Sequence, residues 1–294
     1  MKIEGVIVAT VTPFLPSGEV DLSAYEAHLR QLAAAKVHGF APCATTGEAP
    51  TLRKTEWMDI VKATKRVASQ HHLLVIPGCG GNDTAAALEM LDEANVLGCD
   101  AGLLVTPYYN KPTPRGVSAH YQYLAEHSKI PLVLYNNPSR TAVSMSAELI
   151  GQCFQHSNIV GVKDASGLYS QWLALSAVAD LKTKALLAGD DDAFVYTLLS
   201  GGLGIISASA NVAPQLFVSL YQQARAGQWQ EAYAWQKKLL PLTRALFSET
   251  SPAPLKYALH VLGRMENRLR LPLVPITAET ERKVSDALHA LELA

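Results

Sequence analysis

The feature that most limits the fold is a repeated alternation. Short β-branched apolar runs are separated by segments of helical period. The runs are GVIVATV (5–11), GFAPCATT (39–46), LLVIPGC (73–79), AGLLVTP (101–107), PLVLYNN (131–137), IVGVKDA (159–165), ALLAGD (185–190) and GIISAS (204–209). Most start roughly 20 to 35 residues apart, the size of one βα unit. They are continuously apolar rather than alternating, as strands of a parallel sheet read when both faces are covered. Between them, Leu22, Tyr25, Leu29 and Leu32 share one helical face, as do Ala87, Met90, Leu91, Ala94 and Leu97. Asn82 and Asp83 are placed to cap the second of these helices and Gly98 to stop it. About eight such units with no long linker predict an α/β fold of the (β/α)8 TIM-barrel type. A doubly wound open sheet is the alternative. Its usual glycine-rich first turn is absent, since the turn here is VTPFLPSGE.

After about Pro214 the strand signal stops. Segments 215–248, 252–264 and 276–291 read as helices rich in Ala, Leu and Gln. The expected organisation is a catalytic barrel over 1–225 and a C-terminal helical region over 226–294. At 294 residues, 49% hydrophobic and 17% charged, the chain has ample core and no signature of disorder. A net charge of −1 provides no field for nucleic acid or an acidic membrane, so an anionic substrate must be held by local groups. Cys43, Cys79, Cys99 and Cys153 form no CxxC pair, and buried, reduced thiols in a cytoplasmic protein are expected. The start, MKIEGVIVATVTPF, does not read as a secretory signal, and no stretch approaches the ~18 apolar residues of a membrane span.

In a barrel of this kind, functional groups sit at strand C-termini and in the loops that follow. Lys163 ends the run IVGVK. Burial there disfavours an ammonium and frees an amine able to form an imine with a ketone; the bland alternative is a rim lysine pointing to water. Tyr135 ends PLVLY one strand earlier, and serves either as a proton relay or as a core aromatic. Thr45 and Thr46, before Gly47, offer hydroxyls and backbone amides to an anion, or are merely strand residues before a turn. Tyr108 and Tyr109 lie in a Pro-bounded loop, a common interface setting. Arg140 follows Tyr135 in NNPSRT and is either a carboxylate clamp or a surface arginine. Asp190, Asp191 and Asp192 read as the start of a helix rather than a Mg²⁺ site, because no other acidic or His cluster lies at the strand ends. Walker, GxGxxG, GxSxG and HExxH signatures are absent.

Taken together, ATTGEAPTL, VTPYYNKP, LYNNPSRT, GVKDASG, LLAGDD, GIISASANVAP and PAPLK…LRLPLVPIT resemble the 4-hydroxy-tetrahydrodipicolinate synthase (dihydrodipicolinate synthase) family. This family lies within the pyruvate-dependent class I aldolases, and the resemblance runs nearly end to end. It implies that Lys163 forms an imine with pyruvate. Thr45, Tyr135 and Tyr109 would form a proton relay, with Tyr109 supplied by a neighbouring subunit. Thr46 and its loop would hold the pyruvate carboxylate, Ile206 would line the pyruvate site, and Arg140 would bind the carboxylate of L-aspartate-4-semialdehyde. It also implies no metal or organic cofactor, a product in the diaminopimelate branch of lysine biosynthesis, and a homotetramer built as a dimer of dimers, or else a homodimer. The runner-up readings are a related aldolase acting on a sugar acid or hydroxy-keto acid, a non-catalytic sensor barrel, and a phosphate-binding isomerase barrel. Against the last, GDDDA after the seventh run is acidic. Ala49, Pro50, Lys54, Trp57 and Ala86 depart from the polar, His or acidic residues typical of lysine-inhibited members, whereas Asn82 and Tyr108 are retained. Weak or absent lysine inhibition is therefore expected.

Overall fold

A computed structural model describes residues 2–294. Eight βα units follow one another along the chain. They are β1 (Gly5–Val8), α1 (Leu22–Ala34), β2 (Gly39–Phe40), α2 (Lys54–His71), β3 (Leu74–Val75), α3 (Thr84–Val96), β4 (Gly102–Val105), α4 (Pro114–His127), β5 (Leu132–Asn136), the single turn α5 (Pro138–Thr141), α6 (Ala147–Cys153), β6 (Ile159–Asp164), α7 (Tyr169–Val178), β7 (Ala185–Ala188), α8 (Phe194–Leu199), β8 (Gly204–Ser207) and α9 (Pro214–Arg225). Helices α10 (Trp229–Leu246), α11 (Ala253–Val261) and α12 (Ala278–Ala290) complete the chain.

All strand pairs are parallel, in the order β3-β2-β1-β8-β7-β6-β5-β4. The two edges then meet. Gly78, beyond β3, bridges Leu103 of β4 in parallel, flanked by hydrogen bonds from Cys79 N to Leu103 O and from Leu103 N to Pro77 O, both 2.9 Å. The ring therefore closes as a barrel. Gly78 also packs tightly against the chain leaving β2: a Cβ there would lie 2.2 Å from the Cys43 carbonyl oxygen.

The second and third strands are shorter than their apolar runs. Pro42 and Pro77 have no N–H to donate to a ladder, and Cys43 turns into the left-handed region at φ 54°. Thr45 and Thr46 consequently lie in a tight 3-10 turn, Thr45–Gly47, past the end of β2 rather than within it. The predicted helix 215–248 is two helices, α9 and α10, separated at Gly227 with φ 76°.

The core has two layers. Ile7, Ile76, Leu103, Val133, Leu187 and Ile206 fill the barrel interior. Val6, Val8, Leu132, Leu134 and Val162 face outward and pack under Tyr25, Leu29, Leu32, Leu91 and Ala94 of the helices. Asp83 caps α3, accepting from Ala85 N and Ala86 N, and Gly98 follows its end at φ 70°. The C-terminal helices lie against loops that follow the strands. Gln236 on α10 accepts from Val195 N and donates to Asp191 O, while Arg264 donates to the carbonyls of Asn211 and Val212.

Candidate active site

Register decides which side chains meet inside the barrel. Tyr135 on β5 pairs directly with Lys163 on β6, and Tyr135 belongs to the interior cluster with Val133. Because side chains alternate along a strand, Lys163 points inward and Asp164 outward. Both inward residues are buried, at 5% and 6% exposure, and the Lys163 Nζ lies 4.2 Å from the centre of the Tyr135 ring. The Tyr135 hydroxyl accepts a 2.8 Å hydrogen bond from Asn137 Nδ2. With an acceptor site of the phenol oxygen occupied, its own proton is left free to be donated.

A cavity of about 480 Å³ opens beside this pair. Tyr135, Thr45, Arg140, Thr141 and Tyr108 line it, together with the apolar side chains of Leu52, Trp57 and Met90. The structure thus puts three of the expected residues on one cavity and seats Lys163 against one of them. Thr46 is buried and does not line the cavity, and Ile206 is wholly buried in the barrel interior. Tyr109 is 90% exposed, outside the cavity, on a left-handed backbone at φ 69°.

The acidic residues after β7 behave differently from a capping set. None of their side chains makes a capping bond at the start of the turn Asp191–Ala193. Instead Asp191, 2% exposed, accepts from Ser207 Oγ, Ser209 Oγ and Ser209 N, tying the end of β7 to the end of β8. Burial raises its pKa, against the effect of those bonds. Asp190 is pushed up to about 6 by burial, with Lys163 pulling the other way, so this carboxyl belongs to the electrostatics of the amine. Among the described residues, no group of three His, Cys, Asp or Glu side chains converges as a metal site.

The profile of the Dihydrodipicolinate synthetase family matches residues 2–291. The chain belongs to this family. A 4-hydroxy-tetrahydrodipicolinate synthase of Methylobacterium radiotolerans is 40% identical over 288 residues, 98% of this chain and 95% of that one. The crystal structure of dihydrodipicolinate synthase from Thermotoga maritima superposes with a TM-score of 0.97 at 36% identity, covering 99% of each chain. The chloride-inhibited dihydrodipicolinate synthase of Acinetobacter baumannii, solved in complex with pyruvate, has a TM-score of 0.96 at 37% identity over the full length of both.

In this member of the dihydrodipicolinate synthetase family, two site-supporting residues escaped the reading of the sequence. Asn137 orients Tyr135 and is itself held by Ser139 Oγ. Asp164, buried and facing outward, accepts from Asn136, Gln171, Trp172 and Ser166, and so anchors the strand that carries Lys163. The available signal was position: each directly follows, or lies two residues past, a residue already singled out at a strand end. Cys43 and Cys79 also line the cavity, but burial holds both thiols well above the usual range, which makes them poor nucleophiles.

Proposed function

We propose that the chain condenses pyruvate with L-aspartate-4-semialdehyde through an imine on Lys163, giving 4-hydroxy-tetrahydrodipicolinate for lysine and diaminopimelate biosynthesis. The observation that carries this reading is the Lys163 amine, buried on the inner barrel face against Tyr135 beside a cavity that also presents Arg140.

The Nζ lone pair adds to the pyruvate ketone, and uptake of one proton with loss of one water leaves a cationic imine. That cation is an electron sink, so a methyl proton leaves and an enamine forms. The enamine carbon attacks the aldehyde, and a proton converts the new alkoxide to a hydroxyl. The amino group of the second substrate then attacks the imine carbon, closes the ring and releases Lys163. Tyr135 and Thr45 move these protons, and Asn137 holds the phenol in place. Arg140 clamps the carboxylate of the aldehyde, turning an encounter into a positioned reaction. Thr46 and the turn at Thr45–Gly47 hold the pyruvate carboxylate, with Ile206 in the wall behind.

Tyr109 completes the relay from a second copy. Support comes from its strained left-handed backbone and almost complete exposure, a conformation that a single chain does nothing to use. A further apolar face, with Tyr169 and Leu173 on α7, Tyr196 on α8 and Tyr233 on α10 all exposed, supports a second contact and hence a homotetramer. The end of α9 at Arg225 supports the division into a barrel over 1–225 and a helical region over 226–294. No described helix is long and apolar enough to cross a membrane, and a cytoplasmic location is part of the same reading.

Borohydride reduction in the presence of pyruvate, followed by peptide mass mapping, tests the proposal. A reduced pyruvate adduct on Lys163 is expected. Labelling of another lysine, or no labelling, sinks it.

A further inference from the structure

The turn that carries Thr45 and Thr46 is pinned from the far end of the chain. Glu48 follows it immediately, in the left-handed region at φ 56° and ψ 37°. Its carboxylate is buried and holds two partners. Oε1 accepts from Lys256 Nζ on α11 at 2.6 Å, and Oε2 accepts from the Arg270 backbone N at 3.0 Å. The Lys256 side chain is completely buried, its ammonium 4.2 Å from the centre of the Phe14 ring. Arg270 extends the clamp, donating to the carbonyls of Gly18 and Thr51 and to the Glu56 carboxylate.

Two physical points make this more than packing. A left-handed backbone is uncommon for a residue with a Cβ and glycine adopts it more readily, so a glutamate here points to a use for its carboxylate. A buried ion pair is a poor source of stability compared with well-packed apolar side chains, and its best use is to select one arrangement. The arrangement selected here is that of Thr45–Gly47. Glu48 N bonds to Thr45 O at 3.1 Å, and Gly47 O accepts from Thr12 Oγ1 at 2.8 Å.

We infer that Lys256, acting through Glu48, is a positioning residue for the carboxylate of the keto acid held at Thr45–Gly47. This rests on the function proposed above. Burial lowers Lys256 to about 8 and the neighbouring Glu48 carboxylate opposes that shift, so the amine is still mostly an ammonium at neutral pH. Without the ion pair the turn gains room to move, and a displacement of about 1 Å is enough to spoil a positioned site.

The test uses the full-length enzyme, Lys256→Met, and the double variant Lys256→Met with Glu48→Gln, which leaves no stranded charge and protects against simple misfolding. The pyruvate concentration giving half-maximal borohydride trapping at Lys163 is measured together with both KM values. Both folded variants are expected to need about tenfold more pyruvate, with the KM for the aldehyde within about twofold of wild type. The melting temperature of the double variant should recover relative to the single one. A double variant that titrates with pyruvate as the wild type does overturns the inference and leaves a structural ion pair only. Absence of any Lys163 adduct in the wild type instead removes the functional reading and this inference with it.

Discussion

Tyr135 and Arg140 line one cavity but serve different events, and their truncation should separate in kinetics. Tyr135→Phe removes a proton carrier, so kcat should fall about 10²- to 10³-fold while pyruvate still labels Lys163. Arg140→Ala removes a charged clamp on the second substrate. The KM for the aldehyde should rise about 10- to 100-fold, as loss of a charge-assisted hydrogen bond predicts, with pyruvate KM little changed. Steady-state kinetics with each substrate varied checks both; a pyruvate KM that rises equally in Arg140→Ala contradicts the assignment. Other residues lining the cavity bear on inhibition. Ala49, Pro50, Lys54 and Trp57 all line the cavity, and Lys54 is held by Glu93 at 2.9 Å. Ala86 is exposed on the first turn of α3 and brings no carboxylate to an amino group. A cationic amino acid meets apolar surface and a lysine there, so millimolar lysine should leave turnover nearly unchanged in the same assay. Strong inhibition would refute this.

At the scale of elements, the loops after the strands depend on a few buried polar side chains. Asp191 is the clearest case, because its carboxylate accepts three hydrogen bonds from the end of β8. Asp191→Asn replaces one acceptor oxygen by a donor and strands part of that network. A loss of roughly 1–3 kcal/mol is expected, read as a lower melting temperature and an earlier denaturant midpoint. An unchanged midpoint would show that the bonds are incidental. The three acids at 190–192 looked like a helix start, and Asp191 and Asp192 do lie in a first helical turn. Their hydrogen bonding was illegible because the partners, Ser207 and Ser209, are 16 and 18 residues away. The helical faces of α1 and α3 were legible, since their period is local; Met90 and Leu97 alone fall at the margin of the α3 face rather than inside it.

For the whole molecule, acid and assembly are the informative perturbations. His28 is fully buried; Asn211 Oδ1 lies 3.0 Å from its Nε2, and its Nδ1 has no partner among the described residues. Burial, assisted by Arg264, lowers its pKa from 6.5 to about 4. The unfolded chain therefore binds a proton that the folded chain rejects between those values. Stability is full above pH 6.5 and is lost as the pH falls toward 4. At pH 5 this one group accounts for about 2 kcal/mol. The fall in melting temperature from pH 7 to pH 5 should be smaller in His28→Gln than in the wild type, and an equal fall would dismiss the group as the cause. Assembly makes a separate demand. Leu173→Arg places a charge on the exposed face of α7 and α8 and should convert a tetramer to a dimer by sedimentation, with Lys163 labelling retained. A wild type that sediments as a monomer would remove both proposed contacts.

The chain's own order of residues determined the number of βα units, the class of fold, and the strand ends at which chemistry had to be sought. Each of these follows from short-range patterns: short continuous apolar runs for covered parallel strands, and the 3.6-residue period of the helices between them. Tertiary structure alone decided that Lys163 faces inward against Tyr135 while Asp164 faces out, because a one-residue change of register would exchange them. It also decided that Thr45 reaches the cavity from a turn beyond β2, and that Glu48 finds its partner on Lys256, 208 positions away. Such pairings become favourable only after the barrel closes and excludes water, and no local pattern records them.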